Sequence, residues 1–271
     1  MATSDQLMVV IDPLARRTDG EAVRIAKDVL SAGARAKVCL PEGPEEFARA
    51  LTRCGSRRPV VVGDDHALLR AVAVLHRQRA LAGCALSYVP VGGTLDLAHA
   101  LGVPAGAVAA ARTVLDGVER RLDLLVDDSD GVVLDALRIP PPPPPPPPPE
   151  EDSGFLRHCQ SLVRTLAARP ARVPPAPGPS RLRVEADGVT LVDLDQPVDA
   201  VSVTTGAGGK AEIEVRPVSI GAEAAPVRAV AQSVTVSGAH FRYHADEVLG
   251  GPVRTRTWMV RQGAWGLTLP S

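Results

Sequence analysis

The chain has 271 residues, 45% of them hydrophobic, with 30 basic residues against 31 acidic ones and a formal net charge of −1. This length accommodates two domains with sizeable cores, and the apolar share excludes a globally disordered chain. The charge balance excludes a protein-wide grip on nucleic acid, and an aromatic content of 3% removes the stacking platforms of a single-strand binder.

The first 126 residues alternate between strand and helix patterns. Leu7–Ile11 is a short apolar run closed by Asp12-Pro13, as a buried strand would be. Asp19 predicts the cap of a helix running to about Ala32. Ala36–Leu40 reads as a strand and Pro44–Arg53 as a helix. Pro59–Val62 is the third strand, with a helix from Asp64 or Asp65 to about His76. Leu86–Val91 is the fourth, and Thr94 opens a helix through Leu101. Pro104 reads as the first-turn proline of a helix to Val118, and Leu122–Val126 as a further strand. This alternation predicts a doubly wound, mainly parallel sheet with helices on both faces, over residues 1–126.

Val132–Ile139 reads as a strand that runs into ten prolines, Pro140–Pro149. Such a run predicts a polyproline II rod roughly 30 Å long, at about 3.1 Å per residue. It is expected to be an exposed spacer; a partner with a polyproline-binding groove is the alternative. A helix is predicted over Phe155–Ala168. From Arg181 onward apolar residues recur with period two. Asp187-Gly188 marks a hairpin, and strands are expected at 200–203, 211–215, 233–236, 241–244, 254–260 and 265–269. Residues 127–271 are therefore expected to form an antiparallel β-sandwich domain, interrupted by the polyproline segment 140–149.

No apolar run reaches membrane-spanning length, and Met1–Leu14 lacks the basic start of a secretory signal. The cysteines Cys39, Cys54, Cys84 and Cys159 show no CxxC spacing, which argues against a zinc cage or disulfide framework and suits a reducing cytoplasm.

Ligands of doubly wound sheets bind beyond the carboxyl ends of the strands. Three such ends carry Gly or Asp: Asp12-Pro13; Gly63-Asp64-Asp65-His66-Ala67; and Pro90-Val91-Gly92-Gly93-Thr94-Leu95-Asp96. Glycines there let a backbone approach phosphate, and the next helix N-terminus favours negative charge. Carboxylates beside them call for a divalent cation, so Asp65 and Asp96 point to Mg²⁺.

In order and spacing these motifs resemble the diacylglycerol kinase catalytic-domain family, which includes sphingosine-kinase-like and bacterial lipid kinases. The family's Asn-Pro is here Asp12-Pro13. Its Gly-Gly-Asp-Gly-Thr is Gly63–Ala67, and its Pro-Leu-Gly-Thr-x-Asn-Asp-Phe-Ala-Arg is Pro90–His99. Its Val-Asp-Leu is Leu122-Asp123-Leu124, and its Val-Asp-Gly-Glu is Ala245-Asp246-Glu247-Val248. The terminal strand corresponds to Gln262–Pro270. The resemblance implies an ATP- and Mg²⁺-dependent kinase acting on a lipid hydroxyl at a membrane surface. It places nucleotide contacts at Asp12, Gly63, Asp64, Asp65, His66, Ala67, Gly92, Gly93 and Thr94. It implies Mg²⁺ ligands at Asp65, Asp96 and Asp123, which should converge at one sheet edge, and a proton-accepting base at Asp246. A homodimer and peripheral membrane attachment are compatible with it.

The departures are specific. Asp64 and His66 replace loop glycines, Ala67 replaces the threonine, Gly93 and Leu95 replace a threonine and an asparagine, and Glu247 and Val248 replace glycine and glutamate. Each change adds bulk or removes a polar group where phosphoryl transfer depends on positioned polar groups. The alternative is therefore a catalytically degenerate member that binds lipid, nucleotide or protein. Gly206–Lys210 lacks the Ser/Thr of a phosphate loop and reads as a hairpin turn. His240 and His244 read as surface residues, and Arg254 and Arg256 as a solvent-facing pair. Arg16-Arg17 read as a solvated turn, with phosphate contact as the alternative.

Overall fold

The computed structural model describes residues 6–142, 179–206, 208–218 and 225–271. The helix expected over 155–168 and all but the first three prolines of the rod lie outside the described residues.

β1 (Gln6–Ile11) pairs in parallel with β2 (Arg35–Cys39) and β3 (Arg58–Gly63), and β3 with β4 (Ala85–Pro90), giving the order β2-β1-β3-β4. Side chains alternate across these strands, so both faces must be covered. Leu7, Val9, Val60, Val62 and Val89 pack against α2 (Gly20–Gly33) and α6 (Ala107–Asp116). Met8, Val10, Val61, Leu86 and Tyr88 pack against α3 (Pro44–Thr52), α4 (Asp65–Arg77) and α5 (Asp96–Ala100). The expected caps are present: the Asp19 carboxylate accepts from the Ala22 amide at 2.9 Å, and Pro44 opens α3. An unforeseen helix, α1 (Pro13–Thr18), starts at Asp12, whose carboxylate accepts from the Leu14 amide at 2.8 Å. Asp followed by Pro is itself helix-start chemistry.

β5 (Val118–Asp127) departs from expectation. It runs antiparallel to β14 (Val248–Leu269), with Val118 opposite Leu269, and does not extend the parallel sheet. Two helices, α5 and α6, separate β4 from β5. The second returns the chain to the edge it left, so β5 enters from the carboxyl edge and runs away from it. The helix expected from Pro104 starts at Ala107, behind Gly106.

The strands β6 (Val132–Val133), β7 (Ala136–Ile139), β8 (Ser180–Ala186), β9 (Val189–Val192), β10 (Pro197–Thr205), β11 (Ala211–Pro217), β12 (Val227–Ala231) and β13 (Ser233–Ala245) build the second half. β9 returns on β8 through Asp187 and Gly188, both at positive φ. The expected strands at 233–236 and 241–244 are one strand whose register on β14 shifts between Ser237 and Tyr243, and those at 254–260 and 265–269 lie in β14. β7, β10, β8 and β13 pair in a closed circuit, each with the next. Where a sandwich was expected, these four strands close on one another around a core that includes Val184, Val203, Ile213, Val234 and Trp258.

β14 also leaves that core. Gly266 and Leu267 pair in parallel with Ala85 and Leu86 of β4, and Trp265, Leu267 and Leu269 complete the core beneath α4. One strand thereby joins both halves, and the cleft between them lies at the switch point between β1 and β3. Among the described residues no helix is long and apolar enough to cross a membrane.

Candidate functional site

The cleft has a volume of about 720 Å³. Asp12, Asp64, His66, Leu69, Arg70 and Ala73 line it from the parallel sheet, facing Asp127, Val132, Val133, Tyr243, Ala245 and Val248 from the β-rich half. His76 Nε2 lies 2.8 Å from an Asp130 carboxylate oxygen and ties α4 to the β5–β6 turn. Each wall is set by a local rule: strand ends β1 and β3 supply the acidic residues, and α4 presents His66 and Arg70 one turn apart.

Asp64, expected to meet nucleotide phosphate, is 5% exposed. Its carboxylate accepts from the Ala67 amide at 3.0 Å, capping α4. The loop after β4 closes over it: a Cβ on Gly93, which has φ +23°, would lie 2.8 Å from Asp64 Oδ2. Gly63 is packed equally closely, since a Cβ there would lie 2.6 Å from Cβ of Ala67 and 3.0 Å from Cβ of Asp12. Glycine is therefore required at Gly63 and Gly93 by close packing of the loops on one another.

Asp65 is fully buried, at 0% exposure. Its carboxylate accepts from the Leu97 amide at 2.8 Å and the Ala98 amide at 3.1 Å, and the Tyr88 hydroxyl lies 3.3 Å away. Burial pushes its pKa up, the two amides and Tyr88 oppose the shift, and Glu247 adds a smaller push. Burial, with Asp65 and Asp64 nearby, likewise pushes the Tyr88 phenol up. Asp65 thus joins α4 to α5 from the interior. Asp96 is exposed on the first turn of α5.

Asp123 lies part-way down β5, away from the carboxyl edge. Its carboxylate accepts from the Gly263 amide at 2.7 Å and the Gly209 amide at 2.8 Å. It holds the bulge in β14 between Arg261 and Trp265 against Gly209. The expected convergence of Asp65, Asp96 and Asp123 does not occur, because the antiparallel entry of β5 carries Asp123 to the other end of the sheet. Among the described residues no three His, Cys, Asp or Glu side chains group as a metal site needs.

Asp246 sits at the β13–β14 turn with φ 49°. Its carboxylate accepts from the amides of Leu134 at 2.7 Å, Asp135 at 2.9 Å and Ala136 at 3.0 Å. Burial pushes its pKa up to about 6 against these amides, with Asp135 adding to the rise. Its neighbours Ala245 and Val248 line the cleft. Thr94 and Gly92 lie in the β4–α5 loop, where the Thr94 carbonyl accepts from the Asp65 amide at 3.2 Å.

Sequence reasoning passed over Arg70, Asp127 and Tyr243. Arg70 Nη1 donates to Asp12 Oδ2 at 2.7 Å, and its guanidinium lies 5.4 Å from the Phe47 ring centroid. Its spacing of four from His66 on a helix start was the available signal. Asp127 accepts from the Ser129 amide and hydroxyl, each at 2.7 Å, and from the Gly131 amide at 2.8 Å. Burial works against its charge, but these donors and Arg256 hold its pKa below the ordinary range. Asp-x-Ser-x-Gly was the legible turn signature there. Arg256, expected to face solvent, is half-buried and ion-paired to Asp128. Arg16 donates to the Pro41 carbonyl at 3.0 Å.

The Mg²⁺–ATP arrangement implied by the resemblance does not fit these residues. The amide that a phosphate would seek at α4 is occupied by Asp64, and the loop aspartate faces the interior. No protein-family model matches the sequence, and no curated protein matches it significantly. Similarity appears in structure. Three solved structures from Bacillus anthracis str. Sterne, two described as a "putative diacylglycerol kinase" and one as a diacylglycerol kinase, align over 99% of this chain and 98% of theirs. Their TM-scores are 0.71, 0.73 and 0.68, at 12%, 14% and 13% identity. Over its whole length, then, the chain shares the fold of these diacylglycerol-kinase structures.

Proposed function

We propose that this protein keeps a lipid-kinase fold and its interdomain cleft but uses the cleft to bind a lipid-like ligand, without transferring phosphate. The observation that carries this reading is the Asp64 carboxylate seated on the Ala67 amide of α4 beneath Gly93. A negative group already satisfies the helix start, and the dipole that would favour phosphate is engaged. At an effective dielectric of about 20, a phosphate charge about 4 Å from Asp64 would be repelled by roughly 4 kcal/mol. The cleft suits an amphiphile: Leu69, Ala73, Val132, Val133 and Val248 form apolar walls, and Asp12 with Arg70 forms a polar end.

The second reading is ATP- and Mg²⁺-dependent phosphorylation of a lipid hydroxyl, with Asp246 as base. The raised pKa of Asp246, about 6, favours it, because a base poised near neutrality accepts a proton effectively. Calorimetric titration with ATP and Mg²⁺ separates the two. The binding-module reading expects no saturable binding by the wild type. It expects measurable binding after Asp64→Gly, His66→Gly and Ala67→Thr are combined. Micromolar, Mg²⁺-dependent binding by the unaltered protein would overturn the first reading, and transfer of the ATP γ-phosphate to a diacylglycerol by that protein would establish the second.

A further inference from the structure

A second pocket lies at the edge of the parallel sheet farthest from the β-rich half. It has a volume of about 340 Å³ between edge strand β2 and helix α3. Its apolar lining comes from Met8, Cys39, Leu40, Pro41 and Ala50, and its rim carries Lys37, Arg49, Arg53 and Glu46. Met8 is buried, and its sulfur lies 3.4 Å from the Cys39 sulfur, so the floor is closed by packed thioether and thiol.

The charges on the rim do not cancel. Glu46 is already engaged: its carboxylate accepts from the Glu42 amide at 3.0 Å and lies 3.8 Å from Arg49 Nη2. Lys37 and Arg53 have no acidic partner among the described residues, and both are exposed. Arg53 follows the last turn of α3 and Lys37 projects from the neighbouring strand, so two cations from different elements border one apolar pocket. Unpaired cations around an apolar floor are complementary to an anion carried on an apolar stem.

We propose that this pocket binds a phosphate-headed amphiphile, with Lys37 and Arg53 on the anion and Met8, Cys39 and Ala50 against the stem. The site is separate from the cleft and does not depend on its reading. Leu40, beside the pocket and 53% exposed, extends the apolar surface on which the stem would lie.

The test is calorimetry on the full chain with short-chain phosphatidate kept below its micelle concentration. Inorganic phosphate forms a parallel arm, and flotation with vesicles of phosphatidylcholine and phosphatidylglycerol forms a third. The expected result is saturable phosphatidate binding, weakened at least tenfold by Lys37→Gln with Arg53→Gln, and at least tenfold tighter than binding of inorganic phosphate. Ala50→Leu, which fills the pocket and keeps its charges, should weaken it as well. Every protein compared also carries Val248→Arg, which obstructs the cleft, so the measured binding reports this pocket alone and failure here is distinct from failure of the cleft reading. Circular dichroism verifies that each variant is folded. Absence of saturable phosphatidate binding, or equal binding by the double-glutamine variant, overturns the proposal. Equal affinity for inorganic phosphate would assign a free anion and overturn the amphiphile. Vesicle binding alone would mean surface attraction and would overturn the pocket.

Discussion

At the scale of single residues, carboxylates that a sequence pattern assigns to chemistry are here held by backbone amides. Asp64, Asp65, Asp123 and Asp246 each accept from one or more N–H groups. Spacing correctly located strand ends and turns, so these positions were legible. The direction of each side chain was not, because it depends on which amides a neighbouring loop leaves unpaired. Asp64→Ala removes a helix cap and is expected to cost about 1 kcal/mol, read as a lowered midpoint in urea unfolding. Asp246 gives a pH signature. Its folded pKa is raised to about 6 from an ordinary value near 3.8, so the folded state holds the proton more tightly. The stability it contributes is present below about pH 3.8 and is lost as pH rises through about 6. Asp246→Asn, which tolerates the same positive φ, should flatten the fall in stability between pH 4 and 7, measured by urea unfolding at each pH. An unchanged slope would show that this carboxylate does not titrate there.

At the scale of elements, apolar runs, caps and turn residues sufficed to place β1 to β4, α2, α3, α4 and the Asp187-Gly188 hairpin. The pairing of β5 was not legible, because a strand's own sequence does not state which edge it enters from. Two intervening helices decided that, and with it the position of Asp123. The loops after β3 and β4 form one packed unit, touching at Gly93 as well as at the Asp65–Thr94 hydrogen bond. Gly93→Ala is expected to destabilise by about 1–3 kcal/mol, because positive φ and the approach of a Cβ to Asp64 coincide. Pairing it with Asp64→Gly should recover part of that loss, and a double-mutant cycle in chemical denaturation measures the recovery.

At the scale of the whole molecule, β14 contributes side chains to both cores, so the two halves are expected to unfold together. Trp258 lies in the core of the β-rich half and Trp265, on the same strand, in the core under α4. In each single-tryptophan variant, Trp258→Phe or Trp265→Phe, the remaining tryptophan's fluorescence and the far-ultraviolet circular dichroism should therefore share one urea midpoint. Midpoints that differ between the two probes within one variant would mean that the halves unfold independently. Trp265→Ala should cost about 3–5 kcal/mol, although it lies in the last strand, because it leaves a cavity in the N-terminal core.

The same strand sets the order in which the protein can mature on a ribosome. The N-terminal core is closed by Trp265, Leu267 and Leu269, which are translated after every other residue of that core. While residues 127–264 are being made, β4 has an unoccupied flank where Gly266 and Leu267 will later pair. The first half synthesised is thus the last to be sealed, and a nascent chain that stalls before residue 265 presents an exposed parallel strand to whatever chaperone or neighbouring chain meets it first.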